Sequence, residues 1–171
     1  MPETERNHDQ PRFCVLGAGN GGLAMAGHLA LKGFSVNLYN RTADRLRPVQ
    51  QAGAIHLIAH DGEELPRGRG RLNVVTGDIA QALEGVDILM VVVPATGHAF
   101  IAEQCAPHLR DGQVVVLHPG RTGGALEFRY VLRQRGVTAD VVVAEAQTFL
   151  YASRMVNPAQ VQVFRIKNSV P

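Results

Sequence analysis

Three glycines stand in a G-x-G-x-x-G spacing, at Gly17, Gly19 and Gly22 of the run Gly17-Ala18-Gly19-Asn20-Gly21-Gly22. Glycine has no reactive group, so whatever chemistry this run supports is a matter of bare backbone. Gly17 suits a tight turn, Gly19 lets an anionic group come close to the main chain, and Gly22 lets a helix pack close on a sheet. A helix starting here would turn its free amides and the positive end of its dipole toward a phosphate, with Asn20 and Gly21 placed to present those amides. The spacing gains meaning only between a strand and a helix. Both flanks qualify. Phe13–Leu16 is a short apolar run, and Leu23–Lys32 carries small apolar residues at helical spacing before Gly33 closes it. The turn reads as a site for a dinucleotide pyrophosphate.

The next informative residues are Asn40, Arg41 and Thr42, at the end of a second apolar run, Phe34–Tyr39. About 20 residues beyond such a glycine turn, an NAD site places Asp or Glu to accept from the ribose hydroxyls. This chain has no carboxylate there. Arg41 can pair with a 2′-phosphate and Thr42 can donate to one, while Arg45, one helical turn on, adds a second cation. The expected cofactor is NADP(H), with NAD(H) also possible.

These residues need a scaffold. A chain of 171 residues with 46% hydrophobic content and no Trp favours one domain with an aliphatic core. The polar stretch Met1–Arg12 is expected to be a disordered lead-in, and residues 13–171 the binding domain. After Phe34–Tyr39, Asn40 or Thr42 caps a helix running to about Gln51, with Pro48 unsettling its last turn. A strand is expected at Ala54–His60, a tight turn at Asp61-Gly62, and another strand at Leu72–Thr76. Asp78 caps a short helix, Ile79–Glu84. Asp87–Val93 reads as a strand covered on both faces, ended by Pro94. Then come a helix from about Thr96 to His108, a strand at Gln113–Leu117, and a helix over Gly124–Arg135 closed by Gly136. Asp140–Ala144 reads as a further buried strand. Val161, Val163 and Ile166 suggest a last strand or hairpin. Strands alternating with helices predict an α/β fold: a doubly wound, Rossmann-type, mainly parallel sheet with helices on both faces.

Strand ends in this architecture line the ligand crevice, which nominates Val93, Pro94 and Ala95 as a channel wall. His98 either approaches the nicotinamide ribose or the substrate, or is a capping or surface histidine. Arg121 and Thr122 follow another strand end, where a nicotinamide or a substrate carboxylate could be met. Glu145 orients a substrate amine or holds a loop. The histidines and cysteines lack ligand spacing, so no metal site is expected. Arg67, Arg69 and Arg71 read as a solvated turn. A net charge of +2 gives no reason to expect nucleic-acid binding. No apolar run is long enough to span a bilayer, and Cys14 and Cys105 fit a reducing cytoplasm.

Longer segments go beyond a generic dinucleotide fold. GAGNGGLAMAG (Gly17–Gly27), VPATGH (Val93–His98), HPGRTGGALEF (His118–Phe128) and AEAQTFLYASR (Ala144–Arg154) occur in this order, with Lys167 later. Together they resemble the N-terminal half of the octopine/nopaline (opine) dehydrogenase family, from Phe13 onward. The resemblance implies an NAD(P)H-dependent reductive condensation of an amino acid with an α-keto acid. It also implies a helical C-terminal domain carrying the catalytic His, so that this chain alone is expected to be inactive and either to require that domain or to self-associate. Alternatives are a non-catalytic NADP(H)-sensing module, or the N-terminal domain of a glycerol-3-phosphate or ketopantoate-type dehydrogenase.

Overall fold

A computed structural model describes residues 10–59, 64–121 and 123–171. Most of the predicted lead-in, the His60 end of one strand, the Asp61-Gly62 turn and Thr122 lie outside the described residues. In chain order the elements are β1 (Phe13–Leu16), α1 (Asn20–Leu31), β2 (Val36–Tyr39), α2 (Ala43–Ala52), β3 (Ala54–Ile58), β4 (Gly68–Arg71), β5 (Val74–Thr76), α3 (Ile79–Leu83), β6 (Ile88–Val91), α4 (His98–Cys105), β7 (Val114–Leu117), α5 (Gly124–Gln134), β8 (Val142–Glu145), β9 (Tyr151–Asn157) and β10 (Gln160–Ile166).

The first sheet has the order β5-β2-β1-β6-β7-β8, and every neighbouring pair is parallel. The chain winds outward from β1 through β2 to β5, then returns to the other side of β1 and winds out through β6. The winding reverses between β1 and β6, and their carboxyl ends open the crevice that such sheets use for ligands. Strand periodicity explains why β1 sits centrally. Cys14 and Leu16 join the core beneath α3, α4 and α5, whereas Val15 joins the core formed by α1 and α2. Helices therefore cover both faces. Each fully buried Leu or Val contributes about 1.5–3 kcal/mol by leaving water.

A second sheet, β4-β3-β10-β9, was not anticipated. Of the predicted strand Ala54–His60, the part described as β3 belongs to it rather than to the parallel sheet. It exists because α1 has an apolar outer side as well: Ile55, Leu57, Val161 and Val163 all pack into the α1 core. Gly27 permits this, since a Cβ there would lie 3.0 Å from Leu57. Two arginines of the run read as a turn, Arg69 and Arg71, lie in strand β4, while Arg67 precedes it. In β4 a Cβ on Gly70 would lie 2.3 Å from the Gly27 carbonyl, while Arg69 and Arg71 are exposed and Arg69 donates to the Ala52 carbonyl at 3.2 Å. Glycine in a strand here marks a close backbone approach.

Other boundaries shift for local reasons. Pro48 lies within α2, which continues to Ala52 and stops at Gly53 in the left-handed region. The helix predicted at Thr96–His108 is α-helical only over His98–Cys105, with a 3₁₀ turn at each end. Asp78 caps α3 as expected, accepting from the Ala80 amide at 2.9 Å. Order begins before Phe13, since the Arg12 carbonyl accepts from the Asp87 amide at 2.9 Å. The segment read as a buried strand at Asp140–Ala144 is β8, at the edge of its sheet, with Val142 58% exposed. Among the described residues no helix is long and apolar enough to cross a membrane.

Candidate dinucleotide-binding site

At Gly17 the backbone turns with φ +123°, and a Cβ would lie 2.3 Å from the Val92 carbonyl. Its amide donates to the Tyr39 carbonyl at 2.8 Å, tying the turn to the end of β2. The first turn of α1 passes directly over this point. A Cβ on Gly22 would sit 1.8 Å from the Gly17 carbonyl oxygen. Gly19, the residue that caps α1, differs: nothing lies within 4 Å of where its Cβ would be. No side chain caps α1, and first-turn amides have no partner within a helix. Bare backbone, free amides and open space therefore coincide at Gly19, as a pyrophosphate requires.

The neighbouring residues have other tasks. A Cβ on Gly21 would run into the Phe149 ring at 2.5 Å. The Asn20 side chain is engaged by β9, its Oδ1 accepting from the Met155 amide at 2.9 Å, and its carbonyl accepts from the Ser153 hydroxyl at 3.3 Å. The second sheet thus holds the outer side of the glycine turn, a contact invisible in the sequence motif.

On the inner side a cleft of about 400 Å³ runs between the glycine turn, the end of β2 and the segment after β6. Asn40 buckles two of these together. Its Oδ1 accepts from the Ala18 amide and its Nδ2 donates to the Thr42 carbonyl, both at 3.1 Å. Arg41, Thr42 and Arg45 line the same cleft, and none of its lining residues is Asp or Glu. Asp44 faces away and pairs with Arg47 at 3.1 Å. Val93 and Pro94 line the opposite wall with Phe100, which sequence reasoning passed over. Ala95 is not part of that wall; it begins the 3₁₀ turn that follows.

The residues nominated for the substrate side do not converge on this cleft. His98 is fully buried, neither at the surface nor capping, and neither ring nitrogen has a hydrogen-bond partner among the described residues. Its Nδ1 lies 3.0 Å from where a Cβ on Gly124 would be, beneath the start of α5. Burial lowers its pKa, so the ring is neutral at pH 7. Glu145 reaches a helix rather than a loop: its Oε2 accepts from the Ala125 amide in the first turn of α5 at 2.6 Å. Arg121 is exposed, with φ +34° in the left-handed region. His118 was also missed. It is buried edge-on to Phe149, with ring centroids 5.5 Å apart, and burial lowers its pKa. Among the described residues no three His, Cys, Asp or Glu side chains gather as a metal site needs.

Known proteins share this architecture. The profile of the NAD-dependent glycerol-3-phosphate dehydrogenase N-terminus matches residues 12–120. Opine dehydrogenase of Arthrobacter sp. (strain 1C) is 42% identical over 158 residues, which cover 92% of this chain and 43% of that enzyme. An octopine dehydrogenase solved with NADH and L-arginine aligns with a TM-score of 0.82 at 26% identity, over 94% of this chain and 41% of that one. Octopine dehydrogenase solved with NADH and pyruvate gives a TM-score of 0.83 at 25% identity, over 94% and 42%. The chain spans about two fifths of the length of these relatives. Fold, glycine turn and profile agree: the chain belongs to the NAD-dependent glycerol-3-phosphate dehydrogenase N-terminal family, as a Rossmann domain that binds a nicotinamide dinucleotide.

Proposed function

We propose that this chain is the NADP(H)-binding part of an opine dehydrogenase-like oxidoreductase, joining an amino acid to an α-keto acid. The identity to an opine dehydrogenase supports the reaction class, as does octopine dehydrogenase having been solved with L-arginine and with pyruvate. In that reaction the amine and the ketone lose water to form an imine. The bound cofactor supplies hydride, and with a proton from solvent the imine becomes a secondary amine. This chain's residues hold and orient the cofactor. Gly17, Gly19 and Gly22 shape the pyrophosphate site, and the amides of Asn20 and Gly21 face it. Asn40 braces the turn, and Arg41 and Thr42 meet the adenosine 2′-phosphate. Val93 and Pro94 guide the nicotinamide end. On the substrate side, Arg121, exposed after β7, is the candidate anchor for a carboxylate. Cys14 and Cys105, both buried and unpaired, suit a cytoplasmic enzyme.

One observation carries the NADP(H) preference: the cleft wall at the end of β2 holds two arginines and no carboxylate. A dianionic 2′-phosphate is matched by that wall, whereas ribose hydroxyls leave both cations unused. Titrating the chain with NADPH and NADH, read by nicotinamide fluorescence, tests it. NADPH is expected to bind more tightly, and Arg41→Ala to remove most of the difference. Tighter NADH binding would refute the phosphate assignment and leave the dinucleotide site standing. The family profile favours a second reading, a glycerol-3-phosphate-type dehydrogenase. Turnover by the full-length enzyme of an amino acid plus a keto acid, against the ketone form of glycerol 3-phosphate, separates the two.

A further inference from the structure

We infer that Phe100 is a positioning residue for cofactor selectivity, holding the Arg41 guanidinium ready for the 2′-phosphate; the inference rests on the NADP(H) reading above. Arg41 stands at the end of β2 and Phe100 on α4, on opposite walls of the cleft. The guanidinium carbon lies 5.4 Å from the Phe100 ring centroid, within the ~6 Å over which a cation is drawn to an aromatic face. Arg41 is exposed and has no ion pair among the described residues. A free arginine of this kind samples many rotamers and must give them up when it binds an anion. Here the search is already narrowed. Phe100 is half-buried and packs against the α4 core, so its ring is a fixed platform.

The geometry of the contact matters as much as its strength. A ring engages the flat face of a guanidinium, while the five N–H donors lie in its plane. A contact through that face leaves the in-plane donors free for paired hydrogen bonds to phosphate oxygens. A carboxylate partner would have consumed the same donors and cancelled the charge.

The test compares affinities for NADPH and NADH, by nicotinamide fluorescence, in the wild-type chain and in Phe100→Leu, Phe100→Tyr, Arg41→Ala and Arg41→Ala/Phe100→Leu. Phe100→Leu is expected to lower the NADPH-to-NADH affinity ratio about two- to fivefold, the size of an exposed cation–π contact. Phe100→Tyr keeps the ring and is expected to keep the ratio. In the Arg41→Ala background, Phe100→Leu is expected to change the ratio no further. If Phe100→Leu weakens both cofactors equally, the ring serves the shared part of the dinucleotide and the inference falls. It falls equally if Phe100→Leu changes the ratio as much without Arg41 as with it. If Arg41→Ala itself leaves the ratio untouched, the NADP(H) reading falls first. Should Phe100→Leu unfold, Phe100→Met replaces it, with the same outcomes deciding.

Discussion

Adding one methyl group at Gly19 separates the ligand role of the glycine turn from its structural role. Gly19 has φ −85° and ψ −174°, a conformation open to any L-residue, and nothing lies within 4 Å of the added carbon. By stability alone Gly19→Ala should be harmless or slightly favourable. A glycine replaced at a compatible site gains about 0.4–1 kcal/mol through the unfolded state. For a chain of this length that raises Tm by about 1–4 °C. The same methyl group projects into the space where a pyrophosphate meets bare backbone. Overpacking a close contact costs about 1–3 kcal/mol, so NADPH affinity is expected to fall about 5- to 150-fold. Differential scanning fluorimetry without ligand and fluorescence titration with NADPH read the two effects on one sample. Gly22→Ala is the counterpart, because its Cβ would lie 1.8 Å from the Gly17 carbonyl oxygen; it is expected to prevent folding. A Gly19→Ala chain that is stable and binds NADPH like the wild type would show that no phosphate approaches Gly19, and the site as described would be wrong.

Asn40→Asp removes the donor to the Thr42 carbonyl and puts a carboxylate beside Arg41. Like charges 4 Å apart cost between ~1 kcal/mol in bulk water and ~4 kcal/mol near a protein surface, so the NADPH-to-NADH affinity ratio should drop at least about fivefold; an unchanged ratio would mean that the 2′-phosphate lies elsewhere. Glu145→Ala deletes the carboxylate that accepts from the Ala125 amide and is expected to cost about 1 kcal/mol, a typical loss for a helix cap. Urea unfolding would register it as a lower midpoint at constant slope. His28, His98 and His118 all have pKa values lowered by burial. Each folds neutral, so its contribution is complete above about pH 6.5, the unfolded value, and is lost as pH falls through the depressed folded values. Urea midpoints should therefore fall between pH 7.5 and pH 5.5, and His98→Leu should flatten that slope.

Much of the scaffold can be read along the chain because it is local. The G-x-G-x-x-G run lies between its strand and its helix, Asp78 caps the helix it precedes, and the unbroken apolar run near Val91 marks a strand buried on both faces. Such features need only neighbours a few residues away. A parallel, doubly wound sheet follows from the same alternation, since crossovers of one hand leave few other arrangements. Arg41 was legible for the same reason, at a fixed distance beyond the glycines.

What the sequence leaves open is settled by contacts between residues far apart. Gly27 and Gly70 meet because α1 has a second apolar side, and that contact helps build a second sheet and draws Arg69 and Arg71 into a strand. Glu145 caps a helix that begins about twenty residues earlier, so its role depends on two strand ends lying side by side. His98 is placed by the packing of α5 over α4, and Phe100 meets Arg41 only across the cleft. Periodicity tells a side chain which face it occupies. Which element covers that face is decided by shape and burial once the chain has folded.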